Sequence, residues 1–213
     1  MKNNVTEIVF ILDKSGSMSG LEADTIGGYN SMLNKQRNAD GDAFVTTVLF
    51  NHQNQLVHDR INVKAIAPIT EMDYEVGGTT ALLDAIGSAI NKMMNVQTYT
   101  TEDERAGKTL FVITTDGMEN ASREFTSTQI KNMIEQQKEK HGWEFIFLGA
   151  NIDAVATAAQ FGIEEDFAVD YRADAMGTKL NYESVNEAVV KVRSGQKMDR
   201  SWKNAIERDL ETR

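Results

Sequence analysis

Three oxygen-bearing side chains fall within five residues near the start of the chain: Asp13, Ser15 and Ser17, in the run Asp13-Lys-Ser-Gly-Ser17. The residues just before them, from Ile8 to Leu12, are all apolar. An unbroken apolar run of this length reads as a strand buried on both faces. An acid followed by two hydroxyls at a strand's C-terminal end is poor core material. It suits a hard cation held by oxygen ligands, because the Asp-x-Ser-x-Ser spacing lets three side-chain oxygens converge from one tight loop. Gly16 permits the sharp turn and a close approach of backbone to ion.

Such a loop needs a scaffold, and the rest of the chain supplies alternating elements. A helix is predicted over 21–37, with Ile26, Tyr29 and Leu33 on one stripe and Glu22 and Asp24 in its first turn, where the helix dipole favours acids. Gly27-Gly28 is a weak point in it, pointing to a kink or to close packing on the sheet. Strands follow at 43–50 and 55–61, joined too tightly for a parallel crossover and so forming a hairpin with an antiparallel edge strand. Gly77-Gly78 opens a loop before a helix from 81 to about 96. A buried strand at 109–114, a helix at 126–140, a strand at 143–148, a helix at 154–161, a short strand at 166–170 and a closing helix at 174–192 complete the pattern. Strands alternating with helices mean a doubly wound α/β domain, its sheet mostly parallel and covered on both faces. We expect one domain over 1–193 and a charged tail over 194–213. In such sheets ligands bind beyond the C-terminal ends of the strands, where Asp13 would lie.

The chain resembles the von Willebrand factor A domains across about residues 5–193. Their signature is Asp-x-Ser-x-Ser after the first strand, a threonine from a second loop and an aspartate from a third, together called the metal-ion-dependent adhesion site. Asp13, Ser15 and Ser17 match the first loop, Thr79 in Gly77-Gly-Thr-Thr-Ala81 the second, and Asp116 in Val112-Ile-Thr-Thr-Asp-Gly117 the third. The resemblance implies that these five residues hold a divalent ion, and that an open coordination position accepts an Asp or Glu side chain of a partner protein. Phe147-Leu-Gly-Ala-Asn151 resembles the small intracellular bacterial and phage members. Neutral hydroxyls with only two carboxylates suit magnesium; manganese also fits, and calcium, which prefers more carboxylates, ranks lower. Zinc is not expected, because no histidine or cysteine is placed to help.

Lys14 alternates away from the metal in this picture and reads as a solvated lysine, with a rim role toward acidic partners as the alternative. Glu119 and Asn120 read as solvated loop residues, Asn151 and Asp153 as turn and capping residues. His52, His58 and His141 read as surface or structural, away from the site loops. An enzyme finds little support: an aspartate-based phosphatase needs an acid where Ser15 stands, no phosphate-binding Gly-rich loop occurs, and Met18 occupies the centre of the one elbow-like pattern. The expected function is therefore a metal-dependent protein-binding module. The alternatives are a regulatory subunit that binds a larger enzyme through another surface, and a metal-dependent hydrolase.

Bulk properties agree. The 213 residues suffice for one domain with a sizeable core, and a net charge of -10 argues against nucleic-acid binding, which needs a positive field. No apolar run approaches membrane-spanning length. The lack of cysteine and of a signal-peptide pattern leads us to expect a cytoplasmic protein with no membrane partner.

Overall fold

The computed structural model describes residues 4–213; the reading of residues 1–3 lies outside them. Six strands form one sheet: β1 (Thr6–Asp13), β2 (Ala43–Phe50), β3 (Asn54–Asn62), β4 (Lys108–Thr115), β5 (Glu144–Gly149) and β6 (Ala168–Asp170). Their spatial order is β3-β2-β1-β4-β5-β6. Every neighbouring pair is parallel except β2 and β3, joined by the expected hairpin. The helices are α1 (Glu22–Arg37), α2 (Leu82–Tyr99), α3 (Ser127–His141), α4 (Ala154–Gln160), α5 (Ala175–Arg193) and α6 (Asn204–Thr212). None of the described helices is long and apolar enough to cross a membrane.

The apolar run of β1 divides by parity between two cores. Ile8, Phe10 and Leu12 enter the core shared with Tyr29 and Leu33 of α1 and Val185 and Val189 of α5. Val9 and Ile11 enter the one built from Ile86 and Ile90 of α2, Ile130 and Ile134 of α3 and Ala158 of α4. β4 repeats the split, with Leu110 and Val112 on one face and Phe111 and Ile113 on the other. Alternate side chains of a strand point to opposite faces, so a strand covered on both sides must be apolar throughout.

Gly27-Gly28 does not interrupt α1, nor does it pack on the sheet. A Cβ at Gly28 would run into the Tyr182 ring, so glycine lets α5 lie close against α1. The segment 194–213, expected from its charge as a tail, is part of the domain. Met198, Trp202 and Ile206 are buried in the first core. The Trp202 indole donates to the Asp166 carbonyl at 3.0 Å, and the buried Lys203 ammonium donates to the carbonyls of Glu165 and Ala168 at 2.8 and 2.9 Å. Arg213 reaches back to Asp174, whose carboxylate caps α5 by accepting from the Gly177 amide at 2.8 Å.

Candidate metal centre at the sheet edge

Because β1 and β4 are parallel neighbours, their C-terminal ends deliver Asp13 and Asp116 to the same edge of the sheet. Both carboxylates are buried, at 1% and 2% exposure. Each oxygen of Asp13 is occupied: Oδ1 accepts from the Ser15 amide at 2.7 Å, and Oδ2 accepts from the Thr115 hydroxyl at 2.6 Å. The hydroxyls of Ser15 and Ser17 lie 3.0 Å apart, and that of Ser17 bonds to Asp116. The second oxygen of the pair on Asp116, Oδ1, is buried without a partner. Burial pushes both carboxyls above the usual aspartate range. Hydrogen bonds from Thr115 and Ser15 oppose that rise at Asp13. At Asp116 the Ser17 hydroxyl opposes it, and the charge of Asp13 adds to it. Neither carboxylate forms an ion pair among the described residues.

The second loop is tied to the first by two backbone bonds, Gly16 N–H to the Gly78 carbonyl at 3.0 Å and Gly77 N–H to the Lys14 carbonyl at 2.9 Å. Tyr74 donates its hydroxyl to the Asp13 carbonyl. Gly78 has φ of +81°, and a Cβ there would collide with the His52 imidazole. Thr79 follows, exposed at the edge, while Thr80 is buried. The Thr80 hydroxyl converges with that of Ser17 on Gly117: a Cβ at Gly117 would sit 3.4 Å from one and 3.0 Å from the other. Two hydroxyls thus crowd the bare glycine that follows Asp116.

Glu119 is half-buried and Asn120 exposed, yet both tie loops together. Asn120 exchanges two bonds with Thr80, its amide donating to the Thr80 carbonyl and its Oδ1 accepting from the Thr80 amide, both at 3.0 Å. The Glu119 carboxylate accepts from the amides of Leu83, Ala121 and Ser122 at 2.8–2.9 Å, which caps the first turn of α2. Asp84 returns the clasp by accepting from the amides of residues 123–125. Sequence reasoning missed these roles because the partners are backbone groups about forty residues away.

Two further expectations need correction. Lys14 is not a free solvated lysine: it is half-buried, and its ammonium donates to Gln55 Oε1 and, at 3.4 Å, to the Asp73 carbonyl. His52 is not remote from the site, because the β2–β3 turn lays its ring over Gly78, next to Thr79. Asp153 is a helix cap as expected, accepting from the Ala156 amide at 2.8 Å, and Asn151 takes a turn conformation with φ of +56°. His58 is structural, its Nδ1 3.0 Å from the buried Thr47 hydroxyl.

No family model and no curated relative matches the sequence. Comparison of the fold with solved structures does find neighbours. A von Willebrand factor type A protein from Catenulispora acidiphila superposes with a TM-score of 0.60 at 13% identity, over 89% of this chain and 43% of its own. The chain adopts the von Willebrand factor A fold. Proximal thread matrix protein 1 from the mussel byssus, with a zinc-occupied metal-ion-dependent adhesion site, gives 0.58 at 12% identity over 89% of this chain and 47% of that one. Manganese-loaded TRAP protein of Plasmodium vivax gives 0.53 at 20% identity over 70% and 58%. The chain spans less than half the length of the Catenulispora and mussel proteins. Among these neighbours the mussel protein carries zinc at that site and the Plasmodium protein is loaded with manganese.

The residues present fit a divalent ion. Hydroxyls and two carboxylates form a hard-oxygen donor set, two buried negative charges face one another without a protein cation, and a buried carboxylate oxygen is left over.

Proposed function

We propose that this chain is a metal-dependent protein-binding module. Asp13, Ser15, Ser17, Thr79 and Asp116 hold a divalent ion, with magnesium as the physiological choice and manganese as a substitute. The ion supplies a positive centre that accepts a carboxylate from an Asp or Glu of a partner protein. The chain's own residues do the rest. Thr115 and the Ser15 amide fix the Asp13 carboxylate, Asn120 and Glu119 hold the second and third loops together, and the Gly16 and Gly78 backbones keep the loops in register. The observation that carries this reading is the partnerless buried Oδ1 of Asp116, at a sheet edge where neither it nor Asp13 has an ion-pair partner among the described residues. Leaving an ionised oxygen buried and unbonded is costly, and an added cation removes that cost.

A metal-dependent hydrolase is the second reading, with the His52 ring beside the second loop as an imidazole near the edge. Calorimetric titration of magnesium and manganese into chelator-treated protein tests the metal. Saturable binding to the wild type that is lost in Asp13→Ala and Asp116→Asn is expected. Equal heats from wild type and variants would sink it.

A further inference from the structure

The loops around the ion site leave methionine in the open. Among the described residues every exposed methionine lies at this one edge: Met72 at 87% exposure, Met118 at 71% and Met176 at 52%. Met72 precedes Asp73, whose carbonyl is held by Lys14 of the first loop. Met118 stands two residues past Asp116, and Met176 lies in the first turn of α5, just past the loop that follows β6. Other methionines, such as Met18, Met32, Met93 and Met198, are packed in the cores. Methionine's unbranched, polarizable side chain adapts to varied apolar contours, which makes a methionine rim a surface for docking rather than for packing.

The second loop on this edge is negative. The loop 70–79 carries Glu71, Asp73 and Glu75 and no lysine or arginine, and both glutamates are exposed. Lys14, the one base of the first loop before α1, is engaged by Gln55 and the Asp73 carbonyl and offers no free charge to the rim. An incoming carboxylate thus meets attraction at the ion and repulsion from the 70–79 loop beside it. Complementarity requires the charge next to that carboxylate to be positive.

We propose that this edge docks a protein loop presenting one carboxylate flanked by apolar and basic side chains: the acid goes to the ion, the apolar groups to Met72, Met118 and Met176, and the basic groups to Glu71 and Glu75. The proposal rests on the metal reading above and adds the chemistry of the partner.

The test uses the full chain loaded with manganese and three fluorescent peptides, each with a central Asp, read by anisotropy. The first carries Lys and Leu flanks, the second replaces Lys with Glu, and the third replaces Leu with Ser. The Lys/Leu peptide should bind about tenfold more tightly than either other peptide, the size of one lost charge pair or apolar anchor. Chelator should release it, and rising salt should narrow its lead over the Glu peptide. Combined Met72→Ser, Met118→Ser and Met176→Ser substitution should erase the lead over the Ser peptide while leaving manganese affinity, measured by calorimetry, unchanged. Glu71→Lys with Glu75→Lys should shift preference toward the Glu-flanked peptide. Equal affinity for the three peptides, or no binding by a protein that takes up manganese, overturns the docking proposal and leaves the metal site standing. No heat on adding manganese overturns both.

Discussion

Strand β1 carries two buried carboxylates that are treated in opposite ways. Glu7, near its start, is met by Arg60 of β3, whose Nη2 and Nε donate to Oε1 at 2.7 and 3.0 Å. Arg60 takes φ of +49° to reach it, and its guanidinium also lies 5.0 Å over the Phe44 ring. Asp13, at the strand's end, receives an amide and a hydroxyl but no cation. Burial raises both carboxyls above their usual range, and only for Glu7 does a neighbouring positive charge pull back. A buried acid with its own arginine has its charge answered inside the fold, even though Glu7 Oε2, like Asp116 Oδ1, has no hydrogen-bond partner. A buried pair of acids with none, near the serine hydroxyls of the first loop, is what the proposed ion would neutralise.

The contrast is broken most severely by Arg60→Ala, which strands Glu7 without a cation. Urea denaturation should show a loss of about 3 kcal/mol, the lower end for breaking a buried pair because Arg60 is partly exposed. That loss should be the same with and without divalent metal. Next comes the metal itself. At a concentration a hundredfold above its dissociation constant it should stabilise the wild type by about 2.7 kcal/mol, seen as a rise in melting temperature. Asp13→Asn should abolish the rise, whereas Arg60→Ala should retain it. If Asp13→Asn keeps the metal-induced rise, the two carboxylates do not differ as described.

A smaller effect is expected from Thr115→Val, which keeps side-chain shape but removes the hydroxyl donor to Asp13 Oδ2. Metal-free protein should lose about 2 kcal/mol, the worth of a bond to a charged group, and metal affinity should fall with it. Smallest is a pH drift. The folded carboxyls of Asp13 and Asp116 bind protons more readily than in the unfolded chain, so their contribution to stability is full below the ordinary aspartate range and is lost as pH rises through their raised values. Metal-free protein, followed by melting temperature across that window, should therefore fare relatively better toward its acid side than Asp13→Asn does. Divalent metal should reverse the trend, because it binds the ionised forms.

Much of this was legible in the sequence because it is local. The apolar run before Asp13 and the two serines after it sit within a dozen residues, and the parity of β1 and β4 follows from their composition. What escaped was non-local. Glu119 and Asn120 look like any polar loop until the second loop is brought beside them, and their ligands are main-chain amides, which no side-chain pattern reveals. His52 seemed distant because a hairpin turn gives no sign of the glycine it will cover. The segment after residue 193 was misjudged for another reason: its charges hid a signal that was present. Met198, Trp202 and Ile206 are large apolar residues of a mostly polar stretch, and they enter the first core from an irregular stretch, a 3-10 turn and α6 in succession.

That final segment also decides how the sheet ends. β6 is only three residues long, and the outer strand of a sheet ordinarily offers its unpaired main-chain groups to any passing chain. Here an ammonium from Lys203 takes the Ala168 carbonyl and an indole from Trp202 takes that of Asp166, with α6 lying alongside. Side chains have been put where another strand would otherwise zip on. Extension of the sheet is thereby obstructed on that flank, where α6 and its neighbouring turn occupy the place of a seventh strand.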